Sequence, residues 1–232
     1  MKLSPAITVK PDIFSVLTYP RKERNVLLER TLADLGITPL PFGKNVVWGV
    51  PVLGKGWSSI VIYGMQEQKE VAIKIQRRDS HRLSLGREAL FLRIVNERGI
   101  GPTLYHEGKD FLVLEYVEGV PVRNASVQPK HIRCFLEQCH TLDLLSVDHG
   151  QIQGGKHLLI GEKCWIIDFE KAGFRTPRNV SSLVSELFLR KTECASRVRS
   201  QFSATSESLI KAVREYKKTN NLSLLLDVLH LS

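Results

Sequence analysis

The sequence predicts an α+β fold in two lobes, an antiparallel β-sheet lobe with one helix followed by a mainly helical lobe. Three observations predict it. Short Val- and Ile-rich runs bounded by Gly and Pro fill the first half. Apolar residues at helical spacing dominate after Gly119. The change between the two patterns falls near 117–120, which places two layers of different kind on either side of an expected cleft. Apolar content of 43% against 25% charged residues is enough to bury a core in each lobe. The expected division is a helical N-terminal extension over 1–45, a sheet lobe over 46–116 and a helical lobe over 117–232.

The elements follow in order. Pro5, Pro11 and Pro20 mark 1–20 as a loosely structured arm. Val26, Leu27, Leu32 and Leu35 recur near helical spacing over 21–35, and Gly36 stops that helix. Pro39, Pro41 and Gly43 read as a turn region. Three strand-like runs cover 45–53, 60–63 and 70–75. A helix over 80–96 carries Leu85, Ala89, Leu92 and Val95 on one stripe and ends at Gly99-Ile100-Gly101-Pro102. Strands over 104–106 and 111–116 join across Gly108-Lys109-Asp110. A helix over 129–145 carries Ile132, Phe135, Leu136, Cys139 and Leu142. A glycine-rich loop over 150–156 then leads to a hairpin of 158–160 and 164–167. From Asn179 the chain reads helical, over 183–189, 206–217 and 222–229.

Charge and cysteine usage bound the partners. A net charge of +9 favours anionic partners, but the basic residues are spread along the chain and read first as a solvated rim. Arg21-Lys22, Arg77-Arg78, Arg82 and Arg87 are the residues through which RNA or a ribonucleoprotein would be met. Cys134, Cys139, Cys164 and Cys194 form no C-x-x-C pair and have no His at metal spacing, so free thiols are expected. Pro5, Lys10, Pro11 and Asp12 interrupt any signal-peptide core, and no run reaches membrane-spanning length. A soluble, cytoplasmic protein without a membrane partner is expected.

Three segments carry chemistry. Gly54-x-Gly56-x-x-Ser59-x-Val61 sits between two strands, where backbone N–H groups approach phosphate without a Cβ in the way. Val71-Ala72-Ile73-Lys74 supplies a fixed cation from an apolar strand, with Glu88 on the next helix as its expected anionic partner. Trp165-Ile166-Ile167-Asp168-Phe169-Glu170 mounts a carboxylate at the end of an apolar strand, where a partner such as Mg²⁺ offsets the cost of burying it. In this order and spacing the three make up the nucleotide site of a protein-kinase-like fold. Leu114-Glu115-Tyr116-Val117 would be the hinge, with backbone groups of Glu115 and Val117 on an adenine edge and Leu114 behind the ring.

At these residues the chain resembles the atypical protein kinases, and most nearly the small archaeal predicted Ser/Thr kinases related to the RIO kinases and the KEOPS-complex kinase. The resemblance covers about 46–190 and rests on LGKGWSSIV, VAIK, REALFLRIVNERGIGP, LVLEYVEG, DHGQ and IIDFEKA. It implies a bilobal kinase fold, ATP and Mg²⁺ as cofactors, and a protein hydroxyl, of a substrate or of the chain itself, as acceptor. No winged-helix module is evident. Phe169-Glu170 stands where Phe-Gly is usual, and Arg178-Asn179-Val180 would open the helix under the catalytic loop.

The catalytic loop departs from that pattern. His149-Gly150-Gln151 replaces His-Gly-Asp, and Lys156 stands where the family has Asn. Glutamine cannot accept a proton, but it can orient a hydroxyl, and Lys156 can supply the charge of one metal. Losing the base costs roughly 10²–10⁴ in rate. Asp148 and His157 are fallback bases, and His149 is expected to bond the backbone near Asp168. Gly150 to His157 nearly spells a Walker A loop, yet it lacks the Ser/Thr and lies between a helix and a strand, the reverse of the required order. Three functions compete: an ATP-dependent Ser/Thr protein kinase, an ATP-dependent switch or ATPase acting as a binding module on an RNA or protein complex, and a small-molecule kinase. The last needs a longer helical substrate region than the chain offers after Asn179.

Overall fold

The computed structural model describes residues 12–81 and 84–231; expectations that fall on 1–11 or on Arg82 lie outside them. The chain divides into two compact units, Met1–Gly86 with Leu104–Tyr116, and Arg87–Thr103 with Val117–Ser232.

The first unit holds helix α1 (Val26–Asp34) and strands β1 (Ile37–Leu40), β2 (Asn45–Val47), β3 (Val50–Val52), β4 (Gly54–Lys55), β5 (Ser59–Gln66), β6 (Lys69–Gln76), β7 (Leu104–Glu107) and β8 (Phe111–Glu115). Its sheet runs β1-β5-β6-β8-β7, with β4 also on β5, and every pairing is antiparallel. Side chains alternate across a strand, so each register fixes two faces. One face carries Ile60, Ile62, Val71, Ile73, Ile75, Phe111 and Val113, and packs against Ile13, Val16, Leu17, Leu28 and Leu32. The opposite face carries Val61, Tyr63, Ala72, Lys74, Leu112 and Leu114.

The N-terminal segment is therefore not an appendage. Its described part covers the sheet's apolar face, and Ile37–Leu40 is a strand of that sheet rather than a turn. The loose arm expected over 1–20 becomes, from Asp12 on, a 3₁₀ turn (Ile13–Val16) capped by Asp12, whose carboxylate accepts from the Phe14 N–H at 3.0 Å. Ile13, Val16 and Leu17, interleaved with the prolines in sequence, are all buried. Pro39 is tolerated because β1 is an edge strand. Helix α1 starts at Val26, where the Asn25 side chain accepts from the Leu28 N–H at 3.1 Å. Its buried stripe is Leu28 and Leu32, while Leu27 is 78% exposed. The apolar run admitted two helical phases, and the core selected the other one. The run over 45–53 is a hairpin of β2 and β3, turning at Trp48-Gly49 with both residues at positive φ.

The second unit contains α2 (Gly86–Asn96), β9 (Val120–Pro121), α3 (Pro129–Leu144), β10 (Val147–Asp148), β11 (Leu158–Ile160), β12 (Cys164–Ile166), β13 (Gly173–Phe174), α4 (Asn179–Val184), α5 (Glu193–Arg199), α6 (Ser206–Thr219) and α7 (Ser223–Val228). A single π turn (Ser185–Leu189) continues α4. Small antiparallel pieces order the loops, β12-β11-β9 and β10-β13. Helix α3 buries Ile132, Phe135, Leu136, Cys139 and Leu142 as its spacing requires, with Asp143 beside them.

Helix α2 begins at Gly86, not at 80, with the Gly86 N–H donating to Ser84 Oγ at 3.2 Å. It buries Ala89, Phe91, Leu92 and Val95. Residues 87–103 group with the second unit rather than with the sheet. The contacts explain this: Arg87 Nε donates to the Ala172 carbonyl at 2.9 Å, and the Phe91 and Phe174 rings lie 5.1 Å apart. No helix among the described residues is long and apolar enough to cross a membrane.

Candidate functional site

In the first unit the glycine turn is braced from the side. Gly56 N–H donates to the Ser59 carbonyl at 2.8 Å, closing the turn between β4 and β5. Arg77 Nη1 donates to the Gly56 carbonyl at 2.8 Å, while its other nitrogens hold Asp79 and its guanidinium lies 4.9 Å from the Tyr19 ring centre. Trp57, at the tip, is 96% exposed.

Strand register then lines up the expected residues. Gly54 pairs Val61, Val61 pairs Lys74, and Lys74 pairs Leu112. One step along, Tyr63 pairs Ala72 and Ala72 pairs Leu114. Gly54, Val61, Ala72, Lys74 and Leu114 thus belong to one sheet face. Lys74 is only 5% exposed. Glu115 ends β8, half-buried, and the Tyr116 N–H donates to the Glu70 carbonyl at 3.4 Å. An aromatic cluster that the sequence did not signal lies at this end. Phe42 and Tyr63 are 4.9 Å apart, Tyr63 and Tyr116 5.3 Å. The Tyr63 hydroxyl donates to Glu70 at 2.8 Å, which pushes its pKa up to about 12.

The second unit holds Glu88, Val117, His149, Gln151, Lys156 and Asp168. Glu88 is buried on α2, 3% exposed, and Val117 is half-buried. Asp168 follows β12 at φ +66°, a left-handed conformation uncommon outside glycine. Both backbone groups of the preceding residue are fixed. Ile167 N–H donates to the His157 carbonyl at 2.9 Å, and His149 Nε2 lies 3.0 Å from the Ile167 carbonyl. His157 Nδ1 also lies 3.4 Å from Asp168 Oδ2.

His149 is fully buried, edge-on to Phe169 at 4.8 Å, and burial lowers its pKa to about 4. A neutral ring with its proton on Nε2 satisfies both contacts: Nε2 donates to Ile167, and Nδ1 accepts from the Gln151 N–H at 3.3 Å. The intervening Gly150 has φ +76°, and a Cβ there would come within 3.0 Å of the Lys171 carbonyl oxygen. Glycine is required at this bend.

Gln151 is half-buried, and its Oε1 has no hydrogen-bond partner among the described residues. Lys156 is exposed. Asp148 is engaged by the Arg175 guanidinium and by the Arg178 N–H, which removes it as a free base. Residues 150–157 lead into strand β11, not into a helix, so no Walker A loop is built there.

Beneath the loop lies a buried polar network that sequence reasoning missed. Asn179 Oδ1 accepts from the His149 N–H at 2.9 Å, and its Nδ2 donates to Asp143 Oδ1 and the Val147 carbonyl, both at 2.7 Å. Asp143 also accepts from Tyr216 Oη at 2.9 Å, and Tyr216 lies 3.0 Å from His140 Nδ1. Burial raises the Asp143 pKa against these hydrogen bonds, and burial with the nearby carboxylate raises that of Tyr216. The available signal was Asp143 itself, an acid adjoining the apolar stripe of α3.

No group of three or more His, Cys, Asp or Glu side chains suited to a metal occurs among the described residues. The oxygen donors of this unit include the Asp168 carboxylate and the Gln151 amide oxygen, the latter without a partner among the described residues. Oxygen donors of this kind suit Mg²⁺, which keeps several waters and takes other ligands from phosphate.

No protein-family model matches the sequence. The chain is 30% identical over 113 residues to "Uncharacterized protein MJ1211" of Methanocaldococcus jannaschii, spanning 45% of this chain and 96% of that protein. The chain belongs to the family of MJ1211. Among solved structures it is similar to the Rio2 kinase–ADP/Mg²⁺–phosphoaspartate complex from Chaetomium thermophilum, with a TM-score of 0.54 and 16% identity over 87% of this chain and 74% of that one. At that identity the likeness concerns the fold: this MJ1211 relative has a protein-kinase-like α+β fold, with an antiparallel N-terminal sheet and a helical C-terminal part.

Proposed function

We propose that the chain is an ATP-binding atypical Ser/Thr protein kinase that passes the γ-phosphoryl group of Mg-ATP to a protein hydroxyl, its own included. The observation that carries this reading is the row Gly54–Val61–Lys74, which strand register sets on one sheet face with Ala72 and Leu114 alongside. A cation held in a strand next to a glycine turn suits a triphosphate. Lys74 takes the α/β-phosphates. Asp168 would hold a Mg²⁺, which would supply positive charge against that developing on the phosphates.

In the transfer step the acceptor oxygen bonds to phosphorus as the β,γ-bridging bond breaks and ADP leaves with the electron pair. Gln151 orients the hydroxyl without taking its proton, which passes to solvent. Lys156 steadies the γ-phosphate. His149 keeps Gln151 and Asp168 in position through their backbones. A loose transition state depends mainly on positioning and charge, so turnover survives at a reduced rate.

Gln151 in place of an acid supports a second reading, in which ATP orders the protein as a switch on a protein or RNA complex. The basic residues considered for RNA support that complex less. Arg77 is held by Gly56 and Asp79, Arg78 pairs with Asp110, and Arg87 binds the Ala172 carbonyl.

Incubation with γ-labelled Mg-ATP, beside Asp168→Ala, separates the two. Label entering protein and lost in Asp168→Ala supports the kinase. A nucleotide-dependent thermal shift with no label in protein or free phosphate overturns it and leaves the switch.

A further inference from the structure

The second unit carries a pair of thiols that the nucleotide chemistry does not use. Cys134 on α3 and Cys164 at the start of β12 are both half-buried. One side chain spans both. Gln138 Nε2 lies 3.4 Å from Cys134 Sγ and donates to the Cys164 carbonyl at 2.8 Å. Cys164 Sγ also faces the His131 carbonyl at 3.9 Å, one turn before Cys134 on α3. The arrangement therefore holds a strand end against a helix, with the two cysteines bridged by one glutamine. The other two cysteines differ: Cys139 and Cys194 are buried, and burial raises the pKa of each thiol.

We propose that Cys134 and Cys164 are a peroxide-sensitive modification site that closes to a reversible intrachain disulfide. Donation from the Cys164 thiol and the Gln138 amide favours the Cys134 thiolate, lowering its pKa to about 7, while Cys164 is pushed up and stays protonated. The roles follow. Cys134 is the attacking thiolate and Cys164 the resolving thiol. With hydrogen peroxide as oxidant, the Cys134 sulfur bonds one peroxide oxygen as the O–O bond breaks and hydroxide leaves, giving the sulfenic acid. The Cys164 sulfur then bonds the Cys134 sulfur as the S–O bond breaks. The departing oxygen leaves as water with the Cys164 proton, and the two cysteines together have lost two electrons. The bridge ties α3 to the strand that runs through Ile166 and Ile167 to Asp168.

The test uses the full chain and needs no nucleotide. Treat it with hydrogen peroxide and map its peptides without reduction. The expected product links the Cys134 and Cys164 peptides with loss of two hydrogens, reverts with dithiothreitol, and leaves Cys139 and Cys194 reduced. Iodoacetamide at pH 7 should alkylate Cys134 roughly tenfold more slowly in Cys164→Ala, because the thiolate loses its donor. Dimedone should trap a Cys134 sulfenic acid in Cys164→Ser, where no resolving thiol remains. Oxidation that falls first on Cys139 or Cys194 overturns the proposal. So does Cys134 running on to the sulfinic acid in wild type while Cys164 stays free, or an unchanged alkylation rate in Cys164→Ala.

Discussion

The two units place their polar residues by different physics. In the first, Lys74 and its neighbours sit where strand pairing puts them, and a period of two assigns Val61, Ala72, Lys74 and Leu114 to one face. In the second, His149, Gln151 and Asp168 lie on irregular backbone, held by hydrogen bonds from residues distant in sequence. Register is written locally in alternation. A loop held by Asn179, Asp143 and Tyr216 is not. A substitution on the sheet face should therefore act on ligand binding with the fold intact, whereas one in the network should act on stability first.

The largest effect should come from Lys74→Met. Removing a fixed cation from a phosphate site costs on the order of 10²–10³ in rate, and the nucleotide-dependent thermal shift should vanish with it. An unfolding midpoint near wild type without nucleotide would show that the sheet does not need the charge. A retained nucleotide shift would remove Lys74 from the site.

Asn179→Ala comes next, and it probes the other side of the contrast. It strips partners from the buried Asp143 carboxylate, the Val147 carbonyl and the His149 N–H together. The expected loss is about 3 kcal/mol in chemical denaturation, since breaking a buried charged network leaves uncompensated groups behind. A loss below about 1 kcal/mol would mean that the loop is held by the Ile167 peptide contacts alone.

His149 gives a pH signature of similar size. Its folded pKa, about 4, lies below the usual value near 6.5, with burial the first cause and the neighbouring His157 the second. Asp168 and Asp148 act in the opposite direction. The unfolded chain binds the proton first, so the contribution is complete above pH 6.5 and is lost as pH falls toward 4. The swing is about 3 kcal/mol. Urea midpoints from pH 7 to pH 4.5 should fall more steeply in wild type than in His149→Gln. Equal slopes would show that folding leaves the ring's proton affinity unchanged.

Most elements were legible because their signals are local. The stripe of α3, the end of α2 at Gly99 and the hairpin leading to Asp168 all follow from spacing and turn residues within a dozen positions. The N-terminal cover was not legible. Ile13, Val16 and Leu17 acquire meaning only against the sheet face formed by Ile60, Ile62 and Ile73, which lies far along the chain. The candidate site divides the same way. The motif residues were visible one by one, whereas the Asn179 network and the Arg175 grip on Asp148 join positions some 30 apart in the sequence.

The smallest predicted effect, that of Leu27→Ala, tests that cover directly when set beside Leu32→Ala. Leu27 and Leu32 lie on the same helix and were expected on one stripe, yet Leu27 faces solvent and Leu32 is fully buried. Truncating Leu32 to Ala removes buried methyl groups and leaves a cavity under the sheet, at a cost of about 2–5 kcal/mol. Leu27→Ala removes contacts that water already shares, and alanine is the better helix former, so its effect should stay within about 0.5 kcal/mol. Measured side by side by urea unfolding, the two variants report which helical phase α1 adopts. Equal losses would place Leu27 in the core and restore the stripe read from sequence; the predicted inequality makes residues 26–34 a structural layer of the sheet unit.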